Sequence, residues 1–290
     1  WTALFSQAQA QQPVTIELPG IEVSPPAQRR APRATTSTGV QPDDVVVSPT
    51  ALPTPSTEVA SSVTVITSRE IEQQQRRTVP DVLRTVPGLN VVQNGGTGGL
   101  TSIFMRGTNS NHVKIFIDGI DVSDPSNPSR VFDLGHLSTA DIERIEVLRG
   151  PQSGLYGADA LGGVISIITK KGEGPPRVTA LVEGGSFGTL NQAVSASGSQ
   201  GRFNYALNIS HLRSTDIPVT PLDLLPPGQK RNNDFYDNWT YSTRLGVDVT
   251  QNFSLNWVAR YTDARINFTG DDLTVAPFTG VPDELQRAFG

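Results

Sequence analysis

The residues after position 176 alternate between apolar and polar side chains with a period of two, which is the period of a β-strand. Three stretches carry this alternation, and a strand built from any of them would place its apolar side chains on one face. These side chains are Phe203, Tyr205, Leu207 and Ile209 in the first stretch, Trp239, Tyr241, Leu245, Val247 and Val249 in the second, and Phe253, Leu255, Trp257, Ala259 and Tyr261 in the third.

The connections between these stretches are of two kinds. Those near 198–202 and 250–252 are short, whereas 212–238 is long and proline-rich, and another long polar stretch follows residue 262. Alternation alone fits a soluble sandwich as well, but short turns at one end and long loops at the other are typical of outer-membrane barrels. We therefore predict about five antiparallel strands of a transmembrane barrel over residues 177–290. Such a barrel would be incomplete, since the smallest has about 8 strands.

Residues 58–171 mix helix and strand patterns, which predicts one small α+β domain. Its first helix is the clearest local signal, because Thr67 and Glu70 are spaced as a capping box. The predicted elements are a strand at 63–66, a helix from this box to about Arg77, a helix from Thr78 stopped by Pro87-Gly88, strands at 103–105 and 113–117, a tight turn at Asp118-Gly119, a third short helix capped by Ser138–Asp141, and strands at 145–148 and 164–168.

Two polar loops of this domain are candidates for a ligand surface. If strands 102–107 and 113–117 form a hairpin, the loops 93–101 and 118–131 lie at the same end of the domain. Both loops are rich in Gly, Ser, Asn and Asp. Ordinary solvated turns would have the same composition, and the residues alone favour that interpretation.

The first 57 residues have the composition of an export signal and a tether. Residues 1–10 end in Ala8-Gln9-Ala10, a small-residue pattern expected at a signal-peptide cleavage site. Residues 11–57 contain nine prolines, which predicts an extended, disordered linker. The β-branched run within Asp43–Ser48 could add a strand to another protein's sheet, or it could pair within its own chain; the residues leave these alternatives even.

Charge and motif content exclude several function classes. The net charge is −5, so no basic surface indicates nucleic acid as a partner. There is no cysteine, which excludes disulfides and thiolate metal sites. No apolar run approaches the ~20 residues of a spanning helix, so we expect any membrane insertion to use strands. Nucleotide-binding fingerprints and nucleophile motifs are absent. We expect no enzymatic activity and no cofactor.

Several motifs in order along the chain resemble the TonB-dependent outer-membrane receptors. They include Asp81–Gly88, Arg106-Gly107, Ile117–Gly119, Arg149–Gly157 and Leu161–Ile168. The resemblance covers about residues 43–262 and implies an α+β plug domain inside a barrel of about 22 strands. It also implies a Ton box, best matched by Asp43, Asp44, Val45, Val46, Val47 and Ser48, that pairs with TonB. Arg106 and Arg149 resemble plug arginines that pair with barrel glutamates, here expected beyond residue 290.

Residues 93–113 are most similar to the vitamin B12 (cobalamin) receptors within this family. The resemblance implies that the loops 93–101 and 118–131 contact a corrinoid, although residues 122–131 depart from the cobalamin pattern. A ferric siderophore is the alternative substrate. The substrate-binding residues expected on this basis are Asn94, Thr97, Leu100, Thr101, Ser102, Asp121, Ser123, Ser126 and Asn127.

The same resemblance suggests calcium in the extracellular loops. Asp216, Asp234, Asp237 and Asp263 fall at comparable places, and calcium prefers such oxygen ligands; solvated loop carboxylates are the alternative. The predicted partners are TonB with its inner-membrane energising complex, outer-membrane lipid, and either cobalamin or a ferric siderophore. A passive structural or adhesive barrel in the same membrane is the rival outside the family, and it would need no Ton box.

Overall fold

The computed structural model describes residues 45–46, 54–55, 62–218, 233–250, 253–267, 270–271 and 287–288. An α+β domain occupies the first long stretch, and a sheet of five long strands follows it. None of the helices in these ranges is long and apolar enough to cross a membrane. The predicted signal remnant 1–10 and nearly all of the predicted linker 11–57 lie outside the described residues.

The α+β domain is built on a five-stranded sheet with the order β3-β8-β9-β6-β7. Strands β6 and β9 are parallel, and the other neighbours in this sheet are antiparallel. A separate antiparallel pair, β4 and β5, packs beside it. The bounds are β3 Ser62–Thr67, α1 Ser68–Gln73, α2 Val79–Leu83, β4 Leu89–Gln93, β5 Thr101–Met105, β6 Val113–Ile117, β7 Ile120–Asp121, β8 Ile142–Arg149, α3 Ser153–Tyr156 and β9 Gly163–Thr169.

One apolar core holds this domain together. Helix α2 contributes Val82 and Leu83, and the sheet contributes Ile145 and Ile165; all four are fully buried. Two short 3₁₀ turns, Ser110–His112 and Leu134–His136, connect the strands around this core. Because burying each such side chain is worth about 1.5–3 kcal/mol, this cluster accounts for the folding of a domain with few helices.

The second sheet is a simple antiparallel meander in the order β10-β11-β12-β13-β14. This confirms the predicted five strands. The strands are longer than the predicted stripes and extend into the predicted long loops. Their bounds are β10 Arg177–Gly185, β11 Thr189–Gln200, β12 Phe203–Pro218, β13 Asn233–Thr250 and β14 Phe253–Asn267; two-residue strands follow at Gly270–Asp271 (β15) and Arg287–Ala288 (β16), which pair with each other.

Two local predictions are wrong, and the hairpin considered for the ligand loops is absent. Strands 102–107 and 113–117 do not form a hairpin, because β5 pairs with β4 and β6 pairs with β7 and β9. Residues 138–141 are not a helix, since Ser138 bridges to Thr78 and strand β8 begins at Ile142. The capping box is present, but α1 ends at Gln73 because Gln75 turns to a left-handed φ of 53°.

The predicted Ton box is described only at its centre. Val45–Val46 forms a two-residue strand, β1, which pairs antiparallel with Thr54–Pro55, β2. Asp43, Asp44, Val47 and Ser48 lie outside the described residues. In this structure the β-branched run therefore pairs within its own chain, which is one of the two alternatives left open by the sequence.

Candidate functional site

The sheet formed by β10 to β14 buries its polar face and exposes its apolar face. On β12, Asn204, Asn208 and Ser210 are buried, whereas Phe203, Leu207 and Ile209 are exposed. Strands β13 and β14 continue the pattern, with Trp239, Tyr241, Leu245, Leu255, Trp257 and Tyr261 exposed. A soluble sandwich would bury the apolar face. An apolar outer face opposite a polar inner face is instead the arrangement of a strand that crosses a membrane.

The α+β domain packs against the polar face, and one contact is centred on Asp118. The Arg244 Nη1 of β13 donates to Asp118 Oδ1 at 3.1 Å and to the Thr169 carbonyl at 2.8 Å. Thr169 in turn donates its backbone N–H and its hydroxyl to the two Asp118 oxygens. The carboxylate lies at the left-handed Asp118-Gly119 turn, so this turn places a buried charge against the strand wall.

Two further ion pairs join the domain to the sheet. Arg260 Nη1 of β14 donates to Asp141 Oδ2 at 2.6 Å, and the Asp141 side chain is only 5% exposed. Arg77 pairs with Glu183 of β10. The partners are 106 to 126 residues apart in sequence for these pairs and for Arg244–Asp118, which is why local patterns did not identify them.

A small cavity lies between the domain and the sheet beside these pairs. It measures about 40 Å³ and is lined by Asp141, Asn208, Arg244 and Arg260, among other residues. Asp141 Oδ1, both Asn208 amide atoms, Arg244 Nε, and Arg260 Nε and Nη2 are buried without a protein partner. Since a cavity needs only about 10–15 Å³ to hold a water molecule and polar lining groups retain it, this interface has room for bridging water.

The glycine-rich loop 94–100 is fixed against β13 by Tyr236, which is 1% exposed. A Cβ placed on Gly98 would lie 2.1 Å from Tyr236 Cε2, and Gly98 has a φ of +81°. The Tyr236 hydroxyl accepts from Asn238 Nδ2 at 2.6 Å and lies 3.3 Å from His136 Nδ1. Glycine is therefore required at position 98 both for the turn and for the approach of the ring.

The loop 118–131 supports itself through three consecutive polar turns. Asp121 Oδ1 accepts from the Ser123 backbone and hydroxyl, Asp124 Oδ1 accepts from both groups of Ser126, and Asn127 Oδ1 accepts from the Ser129 N–H. These contacts are Asx-turns, which rigidify a segment without a ladder of backbone bonds. The Ser123 and Ser126 hydroxyls consequently donate their hydrogen bonds within the loop.

A buried lysine anchors the start of this loop. Lys114 Nζ lies 2.7 Å from Asp121 Oδ2 and 3.6 Å from Asp159 Oδ2. Partial burial of Asp121 raises the pKa of its carboxyl, but the hydrogen bonds from Lys114 and Ser123 outweigh this and lower the pKa to about 2. Hydrogen bonds from Ser126 also lower the pKa of Asp124. Both carboxylates are therefore charged in any neutral medium.

Gly98 of the first predicted ligand loop and Asp118, at the start of the second, contact the strand wall at different heights. The separation of these two contacts can be measured along strand β13, because Tyr236 contacts Gly98 whereas Arg244 contacts Asp118. Eight residue steps at ~3.3 Å separate these two wall positions by about 26 Å. The inference that both loops share an end came from the absent hairpin, so it loses its basis.

The predicted substrate residues differ in what they can offer a ligand. Thr101 is fully buried, and its hydroxyl donates to the Gly99 carbonyl. Leu100 is 54% exposed, and Asn94 is exposed as well. Thr97, Ser102, Ser123 and Asn127 are half-buried, and Asp121 and Ser126 are exposed. Thr101 is thus better placed to shape the loop than to contact a ligand; the other assignments stay predictions.

The two arginines predicted to pair with barrel glutamates have no charged partner among the described residues. Arg149 donates to Ser62 Oγ and to the Pro87 carbonyl, which ties two parts of the domain together. Arg106 is exposed and adopts a φ of 49°. Within the described ranges neither forms an ion pair, and their predicted glutamates were placed beyond residue 290. The described domain-to-sheet pairs were missed, although Arg244 and Arg260 stand at polar-face positions of the strands.

The four aspartates suggested for calcium are dispersed. Asp237 lies 3.3 Å from His211 Nε2, Asp263 lies 3.7 Å from Arg265 Nη2, and Asp216 accepts from Thr215 and Asn233. Asp234 is buried. Among the described residues no group of three or more His, Cys, Asp or Glu side chains could hold a metal ion. Calcium binding stays a prediction.

A family comparison identifies the α+β domain. Residues 55–164 match the family described as the TonB-dependent Receptor Plug Domain. Residues 55–164 are thus similar to the plug domain of TonB-dependent receptors. This plug-like domain is followed by five antiparallel strands of a partial barrel, with the polar face of the strands against the plug. The comparisons support the resemblance to TonB-dependent receptors and confirm the predicted fold class. The plug-domain match also supports the predicted location in the bacterial outer membrane.

Two of the solved structures with a similar fold are siderophore receptors. The siderophore receptor PirA from Acinetobacter baumannii is 26% identical with a TM-score of 0.56; the match covers 72% of this chain and 32% of PirA. The ferripyoverdine receptor of the outer membrane of Pseudomonas aeruginosa is 21% identical with a TM-score of 0.63, over 78% of this chain and 28% of that receptor. This chain thus spans about a third or less of these receptors. The comparisons lend no support to cobalamin specificity.

Proposed function

We propose that this chain is part of an outer-membrane receptor that imports a ferric siderophore by active transport energised through TonB. The observation that carries the proposal is the reversed polarity of the strand sheet together with the plug packed on its polar face. An apolar outer face suits lipid. A plug held by polar contacts beside a cavity with room for water suits a closure that has to move, because such contacts can be exchanged for contacts with water.

The coupling step is assigned to residues 43–48. The β1–β2 pair joins only two residues on each strand, and isolated two-stranded pairs are marginal in water. A longer strand offered by TonB would compete effectively for the same backbone groups. The β1–β2 pair is then the resting arrangement of the coupling segment.

A ferric siderophore is favoured as the substrate because PirA, 26% identical to this chain, is a siderophore receptor. A corrinoid is the second candidate, supported by the similarity of residues 93–113 to the cobalamin receptors. Both substrates would meet the exposed part of the loop 94–100, where Asn94 and Leu100 are accessible.

Equilibrium binding to the complete receptor in detergent separates the two substrates. Ferric enterobactin, ferripyoverdine and cobalamin would be titrated in parallel, with binding followed by quenching of tryptophan fluorescence. We expect saturable binding of a ferric chelate and none of cobalamin. Saturable binding of cobalamin alone would reverse the assignment of the substrate.

Deletion of residues 43–48 tests coupling separately from binding. We expect the deletion to abolish uptake into cells and to leave binding unchanged, because the ligand surface lies on the plug loops. Deletion of residues 27–32, six residues from the same proline-rich segment, is the matched control and should leave both unchanged. Uptake that survives the first deletion would favour the passive barrel over the TonB-coupled receptor.

A further inference from the structure

The outward face of the strands has an uncharged band with a sharp upper limit. Along β14 the outward residues from Phe253 to Tyr261 carry no charge, and the same is true of β12 from Phe203 to Ile209. Eight residue steps from Phe253 to Tyr261 at ~3.3 Å give about 26 Å, or about 20 Å after a strand tilt of ~40°. This approaches the ~25 Å height of the apolar band of outer-membrane barrels.

An aromatic row marks the limit of this band. Tyr241 lies between Trp239 and Tyr261, with ring centroids 6.2 and 6.3 Å away. Such rings lie at the level of the lipid headgroups. The row lies towards the end of the strands from which residues 219–232 connect β12 to β13, whereas the opposite end has the two-residue turns 201–202 and 251–252. Long connections are extracellular in these barrels, so this row marks the outer leaflet.

Two arginines stand immediately beyond the aromatic row. Arg213 of β12 and Arg265 of β14 both pair in register with Asp237 of β13, so the three residues form one row across three strands. Both arginines are exposed, and the Arg265 side chain is 74% exposed. At ~4.8 Å per strand, their backbones are about 10 Å apart.

The carboxylates in this region leave the arginines largely available. Asp237 is engaged by His211, whose ring stacks on Trp239 at 4.1 Å. Asp263 lies 3.7 Å from Arg265, which is a loose contact at an exposed site and is worth little. Within the described ranges no carboxylate is within ion-pair distance of Arg213. Two exposed guanidinium groups at headgroup level are suited to bidentate contacts with phosphate.

We propose that Arg213 and Arg265 bind the phosphate groups of an anionic lipid headgroup in the outer leaflet. The aromatic row then lies against the acyl chains next to the headgroups, and the two guanidinium groups donate hydrogen bonds to the headgroup phosphates. The proposed occupant is a lipid because the site continues directly from the apolar band, where acyl chains cover Ile209, Tyr241 and Tyr261. This inference does not depend on which substrate the receptor transports.

The test uses the complete receptor in detergent and native mass spectrometry. The probe is a bisphosphorylated outer-leaflet glycolipid, compared with the same lipid after enzymatic dephosphorylation. We expect the phosphorylated form to bind, and Arg213→Gln with Arg265→Gln to weaken its binding at least tenfold. Arg202→Gln is the matched control, since Arg202 is also exposed but stands at the two-residue turn of the opposite end; it should leave binding unchanged.

Two additional measurements separate lipid from free phosphate and exclude misfolding. An excess of inorganic phosphate should displace the glycolipid only weakly, because it lacks the acyl chains that contact the aromatic row. Protease protection of the plug reports that the double variant is folded, since both arginines face away from the plug. Equal binding of the dephosphorylated lipid, or unchanged binding by the folded double variant, would overturn the proposal.

Discussion

Asp141→Asn tests whether the ion pair with Arg260 holds the plug against the strand wall. The substitution keeps the size of the side chain and removes its charge. The Asp141 and Arg260 side chains are 5% and 15% exposed, so the arginine would remain buried without a counter-charge. No other protein contact would replace the lost ion pair, because the remaining buried polar atoms of these two side chains have no protein partner. These atoms are Asp141 Oδ1, Arg260 Nε and Arg260 Nη2.

The magnitude follows from the burial of the pair. Removing one partner of a buried ion pair costs about 3–5 kcal/mol. Water in the adjacent cavity of about 40 Å³ would solvate part of the orphaned guanidinium, which favours the lower end, about 3 kcal/mol. At ~1.36 kcal/mol per factor of ten, the population of the undocked plug should rise about 150-fold.

Native-state hydrogen exchange on the complete receptor measures this change directly. Amides of β8 and β9 should lose about two orders of magnitude of protection in Asp141→Asn. Asp263→Asn, which removes a carboxylate from an exposed ion pair on the lipid-facing side, should change protection less than threefold. Unchanged plug protection in Asp141→Asn, or an equal loss in both variants, would refute the assignment of Arg260–Asp141 as a docking contact.

Three more outcomes follow from the structure. Gly98→Ala should destabilise the docked loop 94–100 by more than the ~1–2 kcal/mol of a left-handed alanine, because its Cβ would meet the Tyr236 ring at 2.1 Å; faster proteolysis of this loop would report it, and wild-type resistance would contradict it. The pKa of Asp121 is lowered to about 2 in the folded plug; its stabilisation is therefore present above the unfolded pKa near 4 and lost as the pH falls towards 2. Asp121→Asn should remove this acid dependence from the exchange rates of loop 118–131, and an unchanged profile would contradict it. Leu83→Ala, at a fully buried core position, should cost about 2–5 kcal/mol of plug stability in urea unfolding; a loss under 1 kcal/mol would contradict the core assignment.

The elements that could be predicted from sequence are those fixed by neighbouring residues. The capping box at Thr67 and Glu70 forms as predicted, because both of its hydrogen bonds span three residues. The Asp118-Gly119 turn also forms, since both residues accept a left-handed φ. The strand stripes were recognisable because alternation repeats over many residues.

The features that were missed depend on partners distant in sequence. β4 at Leu89–Gln93 gains its strand conformation from β5, and the parallel pairing of β6 with β9 joins residues about 50 apart. No local pattern specifies which strand a segment will pair with. Ser138 to Asp141 resembled a helix cap, but the tertiary contacts of Ser138 with Thr78 and of Asp141 with Arg260 replaced the helix.

The candidate ligand loops could be named from the sequence but not placed. The polar composition of the loops 93–101 and 118–131 made them candidates, although ordinary solvated turns have the same composition, and their placement required the strand wall. In the sequence Tyr236 is one more aromatic residue of a strand. Its side chain belongs to the polar face because it alternates in step with Asn238 and Thr240. Only the packed structure reveals that it contacts Gly98.

Uptake of a radiolabelled ferric siderophore into cells is the most direct test of energised import. We predict time-dependent accumulation that falls to the level of surface binding when the proton gradient is collapsed with an uncoupler. Removal of residues 43–48 should produce the same fall in cells that remain energised. Accumulation that continues unchanged under both treatments would rule out energised import through TonB.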